Sequence, residues 1–242
     1  MTTDMKGKVC VVTGGNSGIG FVTARELARM GAEVSLVCRS RERGETAVAK
    51  IKAATGNEVG LFVADLGLMD DVRRVADEIT ARHPKIHVLV NNAGVLHRHR
   101  VENTEGREVT WAINHLGPFL LTNLLLDAIK AAAPARIVTV ASTAHRRGQI
   151  NFEDLESRKS FGMWPVYGQS KLANILFTRE LAKRLEGTGV TANTLHPGVI
   201  ATQLFITLPM MKVLHPVTRL FFLTPEQGAQ TSIYLASSPQ VD

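Results

Sequence analysis

The sequence predicts an α/β fold in which a doubly wound parallel sheet carries helices on both faces. Three observations predict it. Short apolar runs of strand length alternate along the chain with segments whose apolar residues recur at helical spacing. Those short runs are apolar at successive positions, the pattern of strands covered on both faces. Aromatic residues make up only 5% of the 242 residues while 45% are hydrophobic, which favours an α/β core over an antiparallel sandwich.

The elements follow in order. Residues 8–12 form the first strand, and the Gly-rich stretch 13–20 comes next. Helical spacing takes over in 21–30, with Val22, Leu27 and Met30 apolar and Gly31 placed to end the helix. A second strand covers 33–38, and a second helix covers 41–54 and closes near Gly56. The third strand is 59–64, the third helix 68–82, and the fourth strand 86–90 runs into Asn91-Asn92-Ala93-Gly94. One long helix is predicted over most of 103–132, then a strand over 136–141 and a helix over 167–185. A sixth strand, 190–195, ends at Pro197-Gly198, and a last helix spans 225–236 with Pro225 in its first turn. Strands joined through helices need right-handed crossovers, hence a parallel sheet. The chain shows no repeat and no linker, so 1–242 reads as one domain.

The formal net charge is +6, with Lys and Arg spread along the chain and denser at 39–43, 97–100 and 145–147. The basic residues are not interleaved with aromatics, so no nucleic-acid partner is predicted. Cys10 and Cys38 sit in apolar runs and read as buried thiols of a reducing compartment. The first eight residues are too polar for a signal peptide, and no apolar run reaches the ~18 residues of a membrane span. The expected location is cytoplasmic.

In an open parallel sheet, ligands bind beyond the carboxyl ends of the strands. After the first strand, Thr13-Gly14-Gly15-Asn16-Ser17-Gly18-Ile19-Gly20 combines a tight glycine turn with a helix N-terminus. That places Gly14, Asn16, Ser17, Gly18, Ile19 and Gly20 around the phosphates of a dinucleotide. After the second strand comes Val37-Cys38-Arg39-Ser40-Arg41, with no carboxylate between Val34 and Arg41. Arg39 can bind a 2′-phosphate that an acidic residue would repel, so NADP(H) is the preferred cofactor and NAD(H) the second choice. After the third strand, the Asp65 carboxylate can accept a hydrogen bond from the adenine amino group or serve as a helix N-cap, and the adjacent Leu66 is placed at the cofactor.

Four motifs in register resemble the short-chain dehydrogenase/reductase family with its Rossmann-type fold: Thr13–Gly20, Asn91–Gly94, Tyr167-Gly168-Gln169-Ser170-Lys171, and Pro197-Gly198. Ile113-Asn114-His115-Leu116-Gly117, the stretch 167–174 and His145 resemble the retinol-dehydrogenase-like group of that family. The resemblance implies that Asn91, Ala93, Gly94, Pro197, Gly198, Val199, Thr202, Tyr167 and Lys171 contact the cofactor. It also implies a lipophilic carbonyl or alcohol as substrate and a homo-oligomer built through long helices. The seventh strand usual in relatives is not evident after 225–236.

The chemistry of the residues agrees. Tyr167 and Lys171, four apart on a helix, share one face. A free phenol titrates near pH ~10, and a neighbouring ammonium is expected to lower that value. Tyr167 can then exchange a proton with the substrate oxygen. Ser142, after the fifth strand, can hold that oxygen; no GxSxG surrounds it, which excludes a hydrolase nucleophile. Asn114, a poor helix-interior residue, reads as a kink former, and by resemblance it also holds a water that links Lys171 to solvent. His97, His99, His145 and His196 lack zinc spacing, so no metal is predicted, and His145 is placed near the substrate. The apolar stretch 203–223, broken by Pro209 and Pro216, reads as a lid over a lipophilic substrate, or else as a peripheral membrane contact or core. A non-catalytic cofactor sensor and an epimerase or dehydratase are the competing functions.

Overall fold

The computed structural model describes residues 4–198 and 223–241. Val199, Thr202 and all of the expected lid except Leu223 lie outside the described residues.

Six parallel strands form one sheet in the order β3-β2-β1-β4-β5-β6. They are β1 (Val9–Thr13), β2 (Glu33–Cys38), β3 (Val59–Val63), β4 (Val88–Asn91), β5 (Ala135–Val140) and β6 (Val190–Leu195). The order reverses between β1 and β4, which leaves a crevice at the carboxyl ends of those two strands. The predicted second and sixth strands are matched residue for residue, and the others shift by one or two residues.

Successive strand residues serve opposite cores, which is why the central β1 and β4 are apolar at all but their last position, whereas the edge strand β6 carries Thr191, Asn193 and Thr194. Cys10 and Val12 pack with Leu27 of α1 (Gly18–Arg29), Ile51 of α2 (Arg41–Thr55) and Ala236 of α8 (Pro225–Ser237). Val11, between them, packs on the other side with Ile79 of α3 (Met69–Arg82) and with Leu121 and Leu181. Leu121 belongs to α5 (Gly117–Leu124), followed by α6 (Leu126–Lys130); Leu181 belongs to α7 (Met163–Arg184). Gly31 (φ 89°) and Gly56 (φ 74°) end α1 and α2 in the left-handed conformation that glycine accepts without strain. Cys10 and Cys38 are free and buried, and burial pushes the Cys10 thiol up to about 12.

The long helix expected over 103–132 is not continuous. Asn103 and Gly106 make a turn, and Glu102 bridges Glu108 in antiparallel fashion. Helix begins only at α4 (Val109–Trp111), where the fully buried Glu108 carboxylate accepts the N–H groups of Thr110 and Trp111. A π-helical turn (Ala112–Leu116) then joins α4 to α5. Apolar spacing hides such an insertion, because one extra residue per turn barely disturbs the pattern. Gly117 permits the bend, since a Cβ there would collide with the Leu66 carbonyl.

Candidate active site

A cleft of about 1270 Å³ opens along the carboxyl ends of the strands. Gly14, Asn16, Ser17, Gly18 and Ile19 line it after β1. Gly14 (φ 65°) and Gly18 (φ 55°) hold a left-handed backbone that other residues strain to adopt. Ser17 is the N-cap of α1 but makes no side-chain capping bond, and the first turn contains no acid. The first-turn N–H groups and Ser17 therefore face the cleft as an anion cradle. Gly20 lies behind it, where a Cβ would collide with Asn92 Nδ2 and the Gly14 carbonyl.

Asn92, which the sequence reading passed over in favour of Asn91, locks this loop. Its Nδ2 donates to the carbonyls of Thr13 (2.9 Å) and Gly14 (3.4 Å), and its N–H donates to Thr13 Oγ1 (2.9 Å). Asn91 instead donates to Thr122 Oγ1 (2.9 Å), is buried and does not line the cleft. Ala93 and Gly94 do line it. The signal for Asn92 was period two: next to a strand end, neighbouring residues face opposite sides.

After β2 the cleft is lined by Arg39 and by Arg43, a second cation the sequence reading missed. Arg39 is 71% exposed and lies 3.7 Å from an Asp65 oxygen. Asp65 and Leu66 both line the cleft. Asp65 is not a helix N-cap: its Oδ1 accepts from Gly67, while the N-cap of α3 is Leu68.

At the other end, α7 presents Tyr167, Ser170, Lys171 and Asn174 on one buried face, at intervals of three and four residues. Tyr167 has the Ser142 side chain as a neighbour that lowers its pKa, and it packs edge-on against Trp164, with ring centroids 6.3 Å apart. Lys171 Nζ is buried, donates to the Val140 carbonyl (3.0 Å) and stands 5.6 Å from the Tyr167 ring centroid. The expected lowering of the Tyr167 pKa by Lys171 is not found. Burial raises it above its ordinary value, against a smaller lowering from Ser142. Burial also lowers Lys171 to about 8. Each group has lost more water than its neighbour replaces.

Asn114 stands in the π-helical turn behind Lys171 and does not line the cleft. Its Oδ1 accepts from Val95 N (2.7 Å), and its Nδ2 donates to the Val95 carbonyl (2.9 Å) and Ser170 Oγ (3.1 Å). Its own carbonyl accepts from Asn174 Nδ2 (2.8 Å). Asn114 thus ties the segment after β4 to α7. Gly94 packs beside both: a Cβ there would stand 3.4 Å from Asn114 Oδ1 and from Lys171 Nζ, in ordinary contact.

Ser142 caps a 3-10 turn (Thr143–Arg147) and accepts from Ala144 N (3.2 Å). His145 is absent from the cleft lining: its ring Nδ1 donates to the Ser142 carbonyl (2.6 Å). This turn seats on α7 through two glycines. A Cβ on Gly148 would strike the Gly168 carbonyl, and one on Gly168 would lie 2.9 Å from the Ala144 carbonyl. Gly148→Ala should therefore lift the turn from α7 and separate Ser142 from Tyr167. The expected cost is about 1–3 kcal/mol of stability, with a clear loss of any activity. Thermal melts alongside turnover check this; wild-type values for both would refute the packing argument.

Pro197 and Gly198 close the lining near His196. Among the described residues no group of three His, Cys, Asp or Glu could hold a metal, and no helix is long and apolar enough to cross a membrane.

Residues 8–212 match the family model described as short chain dehydrogenase. The chain is 46% identical over 253 residues to retinol dehydrogenase 14 of Mus musculus, covering 98% of this chain and 76% of that protein. It is 46% identical over 237 residues to retinol dehydrogenase 12 of Mus musculus, covering 98% and 75%. Among solved structures, an uncharacterized protein from Mycobacterium paratuberculosis superimposes with a TM-score of 0.80 at 38% identity, covering 98% of this chain and 79% of that one. The L-sorbose reductase of Gluconobacter frateurii superimposes with a TM-score of 0.82 at 24% identity, covering 100% and 94%, a likeness of fold.

These matches correct one expectation. The cytoplasmic location rested on a polar start and the lack of a long apolar run, whereas similarity to retinol dehydrogenases 11, 12 and 14 points to membrane-associated relatives. The lack of a spanning helix among the described residues does not exclude that setting. An oxidoreductase that interconverts alcohol and carbonyl groups with a nicotinamide cofactor follows from the same matches. With its six-stranded order, its glycine cradle and its end-to-end similarity, the chain belongs to the short-chain dehydrogenases, in their retinol-dehydrogenase-like group.

Proposed function

We propose that the protein is an NADP(H)-dependent oxidoreductase that interconverts a lipophilic alcohol and its aldehyde or ketone, with Tyr167 exchanging the proton at the substrate oxygen. One observation carries this reading: a buried phenol, set beside Ser142 and Lys171, opens on the same cleft as a helix N-terminus that its Ser17 N-cap side chain does not cap.

The residues present fit a dinucleotide. The N–H groups from Gly14 to Ile19 would hold the pyrophosphate, Arg39 and Arg43 a 2′-phosphate, and Asp65 the adenine. Ala93, Gly94, Pro197 and Gly198 would flank the rest, and Lys171 would take the nicotinamide ribose. When bound, the nicotinamide supplies the two-electron donor or acceptor. The chain's own residues do the remainder. Ser142 Oγ orients the substrate oxygen, and Tyr167, a phenol at neutral pH because burial raises its pKa, donates a proton to it. Asn114 keeps Lys171 and the segment after β4 in register.

The NADP(H) preference is supported by Arg39 and Arg43 and by the 25% identical, NADPH-bound blue fluorescent protein from a metagenomic library (TM-score 0.78). The Arg39–Asp65 pair is too exposed to hold Arg39 strongly. Arg39→Asp is expected to raise the KM for NADPH more than tenfold and that for NADH far less. The retinol dehydrogenase relatives support a lipophilic substrate. NADPH consumption with a panel of long-chain and isoprenoid aldehydes tests the whole reading. It fails if no carbonyl is turned over, and its cofactor part fails if wild type uses NADH as well as NADPH.

A further inference from the structure

The cleft carries positive charge on the turn after Ser142 as well as at the end after β2. Its lining includes four arginines, Arg39, Arg43, Arg146 and Arg147, and the buried Lys171, against one carboxylate, Asp65. Arg39 and Arg43 belong to the end after β2, and Lys171 is committed to Val140. Arg146 and Arg147 remain, and they stand on the turn that begins at Ser142, beside the phenol.

Local geometry aims them. In a 3-10 turn, residues three apart eclipse each other. Thr143 with Arg146, and Ala144 with Arg147, therefore share faces, and all four line the cleft. His145, between the pairs, is turned back onto the Ser142 carbonyl. Burial lowers the pKa of His196, another lining residue, and the neighbouring Arg146 adds to that lowering.

Nothing among the described residues neutralises the pair: neither arginine has an ion-pair partner there. Of the acids that follow, Glu153 is exposed and forms no ion pair with either arginine, and the other two are committed elsewhere. Asp154 accepts the N–H groups of Arg158, Lys159 and Ser160, and Glu156 takes Glu108 N and Arg107. The lining also includes the apolar Val95, Leu96 and Trp164.

We infer that the substrate of this cleft is amphipathic: a lipophilic alcohol or carbonyl compound that also bears an anionic group, a carboxylate or its equivalent, bound by Arg146 and Arg147. The inference rests on the proposed oxidoreductase reading and narrows its substrate class. Paired guanidiniums suit this role because each can offer two parallel N–H donors to one carboxylate.

The test compares 12-oxododecanoate with its methyl ester, which differ in charge and hardly in length. The expected result is a kcat/KM at least tenfold higher for the carboxylate, about 1.4 kcal/mol. In Arg146→Gln/Arg147→Gln the ratio should fall to about one, and in Arg146→Lys/Arg147→Lys most of it should survive, which separates charge from damage to the turn. Calorimetry with dodecanoate on the NADP(H)-saturated protein gives a readout free of turnover, with affinity expected to fall tenfold in the Gln variant. Equal use of acid and ester, a preference that persists in the Gln variant, or dodecanoate that competes with NADPH would each overturn the inference. If neither aldehyde is turned over while Arg-dependent dodecanoate binding is present, the anion site stands and the oxidoreductase reading fails. If both are turned over equally, the oxidoreductase reading stands and the anion site falls.

Discussion

Tyr167→Phe is expected to lower turnover by about a thousandfold, within the span that general acid–base groups contribute, while cofactor affinity stays within about twofold. The substitution removes one oxygen and nothing else of consequence. The ring keeps its edge-on contact with Trp164 and its place beside Lys171. Ser142 is not orphaned, since its Oγ still accepts from Ala144 N. Stability should therefore change by less than about 1 kcal/mol, so lost activity reports chemistry and not unfolding. The raised pKa sets the directional behaviour. In reduction the phenol is already the protonated form required at neutral pH, so the rate should stay level there. In oxidation the phenolate is needed, so the rate should climb with pH. Steady-state rates in both directions, with NADPH fluorescence titration and a thermal melt, check the argument. A Phe variant that retains a tenth of wild-type turnover would remove Tyr167 from the mechanism.

The legible parts of this molecule were those that local sequence dictates. β2 and β6 read correctly to the residue because short runs rich in Val, Thr and Leu are bounded by Gly31 and Gly189 on one side and by turn residues on the other. Tyr167 and Lys171 were legible because a four-residue interval on a helix is a fixed distance. What escaped was decided by contacts between distant segments. The π-helical turn at Asn114 exists because Val95 and Ser170 capture that side chain, and neither lies near it in sequence. Asn92 holds Thr13 across the sheet crevice, and Gly148 is needed only because Gly168 passes so close. The sign of the Tyr167 pKa shift was misjudged for the same reason. The spacing identifies a neighbouring ammonium, but the depth of burial, which outweighs it, is a property of the whole fold.

Lys171→Met should abolish activity and at the same time stabilise the unliganded protein. Burial holds this ammonium at about 8, whereas an unperturbed lysine titrates at 10.5. Keeping it charged inside the fold therefore costs roughly 3 kcal/mol at neutral pH. Methionine fills similar volume without that charge and forfeits one hydrogen bond to the Val140 carbonyl, worth about 1 kcal/mol. The net gain is about 2 kcal/mol, or roughly 4–8 °C in melting temperature for a chain of this size. The pH dependence distinguishes this origin from better packing. The folded-state pKa is depressed, so the cost is full below pH 8 and fades as pH rises toward 10.5, where the unfolded lysine also loses its proton. The stability gap between variant and wild type should therefore be widest at pH 7 and close progressively above pH 8. A variant that melts below wild type at pH 7, or a gap that does not move with pH, would mean that the ammonium is not paying for its burial. Its place beside Tyr167 would then need a purely structural explanation. If the gap closes as described, the residue is kept at a standing cost to the fold, and the compensation has to lie in the chemistry of the phenol next to it.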